Sequence, residues 1–318
     1  MADQPTTRRA FLNRTLLAAG AMAASSALPG ATAGARPGKL HVACNSYSWT
    51  VFYRRDGRDF EQSLDAGLAD VAASGLDGFE PGFTEPSQVA PYAPLLKKHG
   101  LQMRSVYVNS VLHEPDKARD SIAGVLATAK EAKAIGARII VTNPSPVAWG
   151  GPQNKNDQQL KTQAAALNEL GAKLKAMGLV LAYHNHDMEL RQAAREFHHM
   201  MVGTDPEKVT LCLDAHWVYR GAGNSQVALF DILQLYGSRI TELHLRQSRD
   251  GVWAETFGQG DIDYPALARH LTTLRLRPHI VLEQAVEQGT PHTMKSIEAF
   301  RTSTQNVRRL FAGFAENT

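Results

Sequence analysis

Histidines and carboxylates recur two residues apart in this chain, in His184-Asn185-His186, Asp214-Ala215-His216 and Glu242-Leu243-His244-Leu245-Arg246. Each group ends an apolar run, as do Phe79-Glu80 and Leu282-Glu283. Alternate side chains of an extended strand share a face. His184 therefore pairs with His186, Asp214 with His216, and Glu242 and His244 with Arg246. Imidazoles and carboxylates converging on one rim form the donor set of a divalent cation, and the same groups beside an ion can move protons. On spacing alone, His184 and His186 are alternative ligands from the fifth run. The four tryptophans, Trp49, Trp149, Trp217 and Trp253, all lie just beyond such run ends. An indole rim suits the apolar C–H faces of a sugar ring. Gly258-Gln259-Gly260-Asp261 does not directly follow an apolar run. It reads as a loop leading to a helix at Pro265 capped by Asp263, not as a phosphate cradle.

Positioning these groups requires a repeating scaffold. Strand-like runs fall at 40–47, 76–82, 101–108, 137–143, 179–186, 209–216, 239–246 and 279–283. Helix-period segments fall between and after them, at 60–73, 89–99, 116–135, 157–177, 193–201, 226–235, 265–274 and 291–311. Gly75, Gly100, Gly136, Gly178 and Gly237 stand where glycine caps end helices before the next strand. Eight such repeats predict the α/β class and a single (β/α)8 barrel, with an open doubly wound sheet as the alternative. In a barrel of this kind the chemistry lies at the carboxyl ends of the strands, where the polar run ends are found.

The first residues read differently. Thr7-Arg8-Arg9-Ala10-Phe11-Leu12 precedes an alanine-rich apolar run, and Ala31-Thr32-Ala33 fits a cleavage site. This pattern predicts a twin-arginine signal over 1–33, a barrel domain over 34–318, and a periplasmic or secreted protein. The run is short and interrupted by Ser25, Ser26 and Pro29, which argues against a spanning helix and against membrane attachment after cleavage. A formal net charge of +3 with no basic block gives no support for a nucleic-acid partner. Cys44 and Cys212 are the only cysteines; both lie in apolar runs and are expected to be free thiols.

Over nearly the whole length after residue 33, the chain resembles the xylose-isomerase-like barrel superfamily of sugar (phosphate) isomerases and epimerases. The resemblance is carried by Gly78-Phe79-Glu80, Tyr183-His184-Asn185-His186, Leu213-Asp214-Ala215-His216, His244-Leu245-Arg246, Gly258-Gln259-Gly260-Asp261 and Leu282-Glu283. It implies a manganese, cobalt or magnesium ion bound by His184, Asp214, His244 and Glu283, with His184 preferred over His186. His184 stands where the family carries a first glutamate, and Arg246 where a lysine often follows the histidine. Only Glu283 thus remains of the family's two acid/base glutamates. The family's DNA-repair branch has a larger ligand set, which this chain does not show.

The expected chemistry is metal-assisted isomerisation or epimerisation of an unphosphorylated ketose or keto-sugar through an enediolate. Glu283 is the expected base, His216, His186 or Glu80 the proton partner, and Arg246 the holder of a substrate oxygen. Elimination from a 3-keto-glycoside by a lyase or hydratase, and a non-catalytic sugar-binding barrel, are the alternatives. A homo-oligomer is left open.

Overall fold

The computed structural model describes residues 39–315. The signal segment over 1–33 lies outside them. Among the described residues, no helix is long and apolar enough to cross a membrane.

The strands in chain order are β1 (Val42–Asn45), β2 (Gly78–Glu80), β3 (Gly82–Phe83), β4 (Ser105–Val108), β5 (Ile139–Thr142), β6 (Val180–His184), β7 (Val209–Asp214), β8 (Ile240–Leu245), β9 (Ser248–Arg249), β10 (Val252–Trp253) and β11 (His279–Leu282). All but β9 and β10 form one parallel sheet in the order β2-β1-β11-β8-β7-β6-β5-β4-β3. Of its two edges, β2 lies within the second predicted run over 76–82 and β3 begins at that run's last residue. They part at Pro81, which has no N–H to give to a ladder. β2 pairs with β1 while β3 pairs with β4, so the sheet closes into the predicted (β/α)8 barrel. β9 and β10 form a small antiparallel hairpin beyond β8.

The helices are α1 (Ser46–Arg55), α2 (Leu64–Ala73), α3 (Tyr92–His99), α4 (Pro115–Ala134), α5 (Asp157–Ala176), α6 (Arg191–Gly203), α7 (Ala215–Gly221), α8 (Gln226–Tyr236), α9 (Tyr264–Thr273) and α10 (Ser296–Leu310). α1 and α7 replace chain that the sequence pattern assigned to strands over 40–47 and 209–216. The cause is the same at both ends. The Asn45 side chain accepts from the Tyr47 N–H at 2.7 Å and Asp214 Oδ1 from the Trp217 N–H at 2.8 Å. A short polar side chain that takes an orphan N–H starts a helix where the strand stops. Gly100 ends α3 with φ +66, as a cap requires. Gly237 instead has φ −52 and opens a turn of 3-10 helix before β8, so the cap predicted there is absent.

Alternation along the strands sorts side chains between two environments. Leu181, Tyr183, Leu211, Leu213, Leu243 and Leu245 join the main core shared with the helices. Val141, Ala182 and Cys212 form a small separate cluster on the opposite faces. Above and beside these small residues the barrel interior is polar, with Glu80, Glu242 and His244 all fully buried. Both cysteines are free and buried, as expected.

Candidate metal centre

Four adjacent strands deliver one candidate ligand each to the carboxyl end of the barrel. His184 ends β6, Asp214 ends β7, His244 lies on β8, and Glu283 directly follows β11. Their ligand atoms all lie within 4.8 Å of one another. His184 Nε2 is 4.0 Å from Asp214 Oδ2 and 3.9 Å from Glu283 Oε2, and His244 Nδ1 is 2.5 Å from Glu283 Oε2. An ion about 2.0–2.2 Å from each of two ligands spans the 3.9 and 4.0 Å separations, whereas His244 Nδ1 and Glu283 Oε2 are in hydrogen-bond contact.

The unmet polar atoms point the same way. His184 and Asp214 are buried, yet neither nitrogen of His184 nor Asp214 Oδ2 has a hydrogen-bond partner. Leaving a buried acceptor unsatisfied costs about 1–3 kcal/mol, and a cation would satisfy these. The residues present therefore fit a divalent ion.

A layer of carboxylates beneath the group orients it. His244 Nε2 faces Glu242 Oε1 at 3.0 Å and Glu80 Oε1 at 3.3 Å, leaving Nδ1 turned toward the other three ligands. A ligating histidine whose other nitrogen is held by a carboxylate has its tautomer and ring plane set. Burial and the neighbouring Glu80 push Glu242 up to about 8. Burial works against ionisation of Glu80 too, but His244 and hydrogen bonds from Glu242 and Ser105 bring it down to about 2. One proton is thus shared by the pair, and Glu242 holds it. Asn185 braces β7 by donating to the Asp214 carbonyl at 3.1 Å and accepting from its N–H at 3.1 Å.

Burial, then the nearby His244 and His186, hold His184 well below the ordinary imidazole range, so it is neutral and ready to ligate. Burial lowers His186 to about 4 and raises Asp214 to about 6. Burial would raise Glu283 as well, but the Arg246 guanidinium and His244 keep it below the usual carboxylate range. Arg246 is fully buried; its Nη2 donates to Glu283 Oε1 at 2.6 Å and its Nε to the Glu283 carbonyl at 2.9 Å. It lies 4.2 Å from the Trp253 ring centre and 4.9 Å from that of Trp217.

A cavity of about 510 Å³ opens over this floor. Of the residues singled out from the sequence, Glu283, His186, Trp149 and Trp217 line it. Glu283 is the one member of the four-ligand group that reaches its wall.

Other sequence-predicted positions lie elsewhere. Trp49 is a core residue of α1, fully buried, stacked on Phe300 at 4.4 Å, with its indole N–H on Cys44 Sγ. Glu80 sits under His244, bonded by Asn45 and Ser105, and does not face the cavity. His216 is carried by α7 rather than by a strand, so it does not share a face with Asp214; it is buried, and burial followed by Arg246 and Arg220 lowers it to about 2. Trp253 covers Arg246 and packs on Trp217 at 5.6 Å instead of lining the cavity. Arg246 is committed to Glu283, and its Nη1 is the one guanidinium nitrogen left without a partner.

The sequence pattern missed the polar wall residues Asn45, Tyr47, Tyr107, Asn109 and Arg191. Asn45 and Tyr107 lie on β1 and β4 and Asn109 directly follows β4, so attention to every strand end would have found them. Arg191, on a connection after β6, carries no such signal. The Gly258–Asp261 segment is the loop predicted. Gln247 Nε2 donates to the carbonyls of Gly258 and Ile262, and a Cβ at Gly260 would stand 2.2 Å from the Ser248 carbonyl oxygen. Asp263 Oδ1 accepts from the Ala266 N–H at 2.8 Å, capping α9 as expected.

A family model described as xylose isomerase-like TIM barrel matches residues 68–303. The inosose dehydratase of Clostridium perfringens is 25% identical over 257 residues, covering 70% of this chain and 82% of the relative. That of Salmonella typhimurium is 25% identical over 248 residues, covering 68% and 79%. Among solved structures, a sugar phosphate isomerase/epimerase from Parabacteroides distasonis superposes with a TM-score of 0.66 at 18% identity, covering 93% of this chain and all of that one. The 3-keto-D-glucoside 4-epimerase of E. coli gives 0.64 at 14% identity, covering 85% of this chain and all of the other. At these identities the structural likeness establishes the fold.

Proposed function

The chain belongs to the xylose isomerase-like TIM barrel family, and from that premise we propose that it is a divalent-metal-dependent sugar isomerase or epimerase. Its substrate in this proposal is an unphosphorylated ketose or keto-sugar, a class that follows from the export expected of residues 1–33. The observation that carries the proposal is the buried group His184, Asp214, His244 and Glu283 with its unpartnered ligand atoms under a sugar-sized cavity. Two imidazoles among four ligands favour manganese or cobalt over magnesium, which prefers oxygen. Such an ion supplies Lewis-acid polarisation of a carbonyl whose oxygen it binds.

The chain's own groups would do the proton work. Glu283 is ionised and faces the cavity, so it is placed to take the proton beside the carbonyl. Arg246 holds that carboxylate by one hydrogen bond to Oε1 and anchors the residue by another to its main-chain carbonyl. His186, neutral and also lining the cavity, is a second group placed to exchange a proton with the substrate. Trp217 offers an apolar ring face over the reacting end.

A second reading, β-elimination from a keto-sugar, is favoured by one observation. His184 stands in place of the family's first glutamate and lies under the cavity floor, leaving one carboxylate of the ligand set at the wall. The dehydratase relatives agree with it. NMR in D2O of the metal-loaded protein with free ketoses and 3-keto-glycosides tests both. Deuterium beside the carbonyl of an intact, rearranged sugar supports isomerase or epimerase. An unsaturated keto-sugar with loss of a substituent makes it a lyase. No exchange with any substrate, metal bound, would leave a sugar-binding barrel and sink both enzyme readings.

A further inference from the structure

Two large aromatic side chains of the cavity lining remain open to solvent. Trp149 is 54% exposed and Tyr47 46% exposed, yet both line the cavity, on the loop after β5 and on α1. Aromatic side chains open at a cavity lining offer a surface on which a ring can pack. The Trp149 and His186 rings meet in a T-shaped contact, with centres 5.2 Å apart and planes at 83°.

The loop that carries Trp149 is held firmly. Lys155 is buried and its Nζ bonds the Pro144 carbonyl at 3.1 Å and Glu196 at 2.7 Å, tying the two ends of the loop together. Arg195 grips the Lys155 carbonyl. Arg191 Nη1 donates to the Gly151 carbonyl at 2.8 Å, beside the indole, while its guanidinium also lines the cavity. Directly after Arg191, Gln192, Ala193 and Ala194 hold φ of +52, +57 and +57. Left-handed backbone is unfavourable for a non-glycine residue, and such strain persists where surrounding structure needs it and gathers at ligand sites. A ring platform pre-set in this way binds with little ordering cost.

We infer that Trp149, Tyr47 and Arg191 form an outer subsite for a six-membered ring attached to the reacting sugar, so that the substrate is a glycoside carrying a ring substituent rather than a free monosaccharide. The inference rests on the proposed function for its inner half. The ring is a second sugar or an aryl group; both present a flat face to an indole, with the polar edge toward Arg191.

The test uses binding of unreactive ligands, so that it does not depend on turnover. Affinities of methyl β-D-glucoside, phenyl β-D-glucoside and cellobiose are measured calorimetrically for the metal-loaded full chain and for Trp149→Ala. Aromatic stacking of about 0.5–1.5 kcal/mol predicts that at least one ring-bearing ligand binds roughly 2- to 12-fold tighter than the methyl glycoside. Trp149→Ala should abolish that preference. Whichever of the phenyl and cellobiose arms shows the gain identifies the ring as aryl or sugar. Equal affinities in the natural protein, or a preference that survives Trp149→Ala, overturn the subsite. A preference present while no keto-sugar undergoes exchange would refute the enzyme reading and leave the subsite standing.

Discussion

Glu283 carries two loads, and replacing it separates them. It belongs to the ligand group, and it is also the counter-ion of Arg246, which is fully buried. Glu283→Gln keeps an acceptor for Arg246 Nη2 but removes the negative charge, while the Arg246 Nε bond to the main-chain carbonyl survives. Breaking a buried pair outright costs about 3–5 kcal/mol. The retained acceptor, the nearby Asp214 and the Trp217 and Trp253 rings reduce this to about 2–3 kcal/mol, in line with a hydrogen bond to a charged group. At roughly 2–4 °C per kcal/mol for a large domain, the metal-free variant should melt about 4–12 °C lower. Urea unfolding in chelator measures this apart from metal loss. The cycle with Arg246→Met should give a coupling of at least about 1.5 kcal/mol, because neither partner tolerates being left alone. A metal-free Glu283→Gln protein within about 0.5 kcal/mol of the natural one, or an additive cycle, would refute the pairing argument. Turnover should be lost in the same variant, and that loss counts for catalysis only after the fold has been shown to persist.

Three further outcomes follow from the geometry. Glu242→Leu should weaken metal binding about 10- to 100-fold by leaving His244 Nε2 only the longer Glu80 contact, whereas Glu242→Gln should bind nearly normally because Glu242 already holds a proton; calorimetric titration with Mn2+ decides, and equal affinities for all three proteins would sink the orienting role. Trp49→Ala should cost about 3–5 kcal/mol by opening a core cavity while leaving KM for any substrate unchanged; a raised KM would return Trp49 to the binding surface. Glu189 is buried, and burial followed by Glu196 raises it from 4.5 to about 7. Between those values the native state keeps a proton that the unfolded chain has lost, so stability from this group is full below pH 4.5 and falls as pH rises toward 7. At about 1.4 kcal/mol per pH unit, Glu189→Gln should gain up to about 3 kcal/mol relative to the natural protein across that window. Parallel urea-stability curves for the two would refute the assignment.

Much of the site was legible because strands have a fixed period. His184, Asp214, His244 and Glu283 end neighbouring runs in the sequence, and β6, β7, β8 and β11 are neighbours in the sheet. Glu242, His244 and Arg246 share the barrel interior as two-residue spacing required. The same rule failed at His216, and the rim expected at Trp49 did not form, because Asp214 and Asn45 cap helices and turn the chain away from strand geometry. The predicted rim of four indoles became two, because helix α1 puts Trp49 in the core and Trp253 lies over Arg246.

The sequence by itself determined the alternation that builds a barrel, the polar strand ends and the residue types able to hold a divalent ion, since these depend on local period and chemistry. Tertiary structure decided which atoms meet. Closure through β2 and β3, the gripping of Glu283 by Arg246, the Glu80 carboxylate under His244 and the clamped Trp149 loop all join residues far apart in the chain. Those contacts arise from packing around a closed barrel, and no spacing along the sequence encodes them.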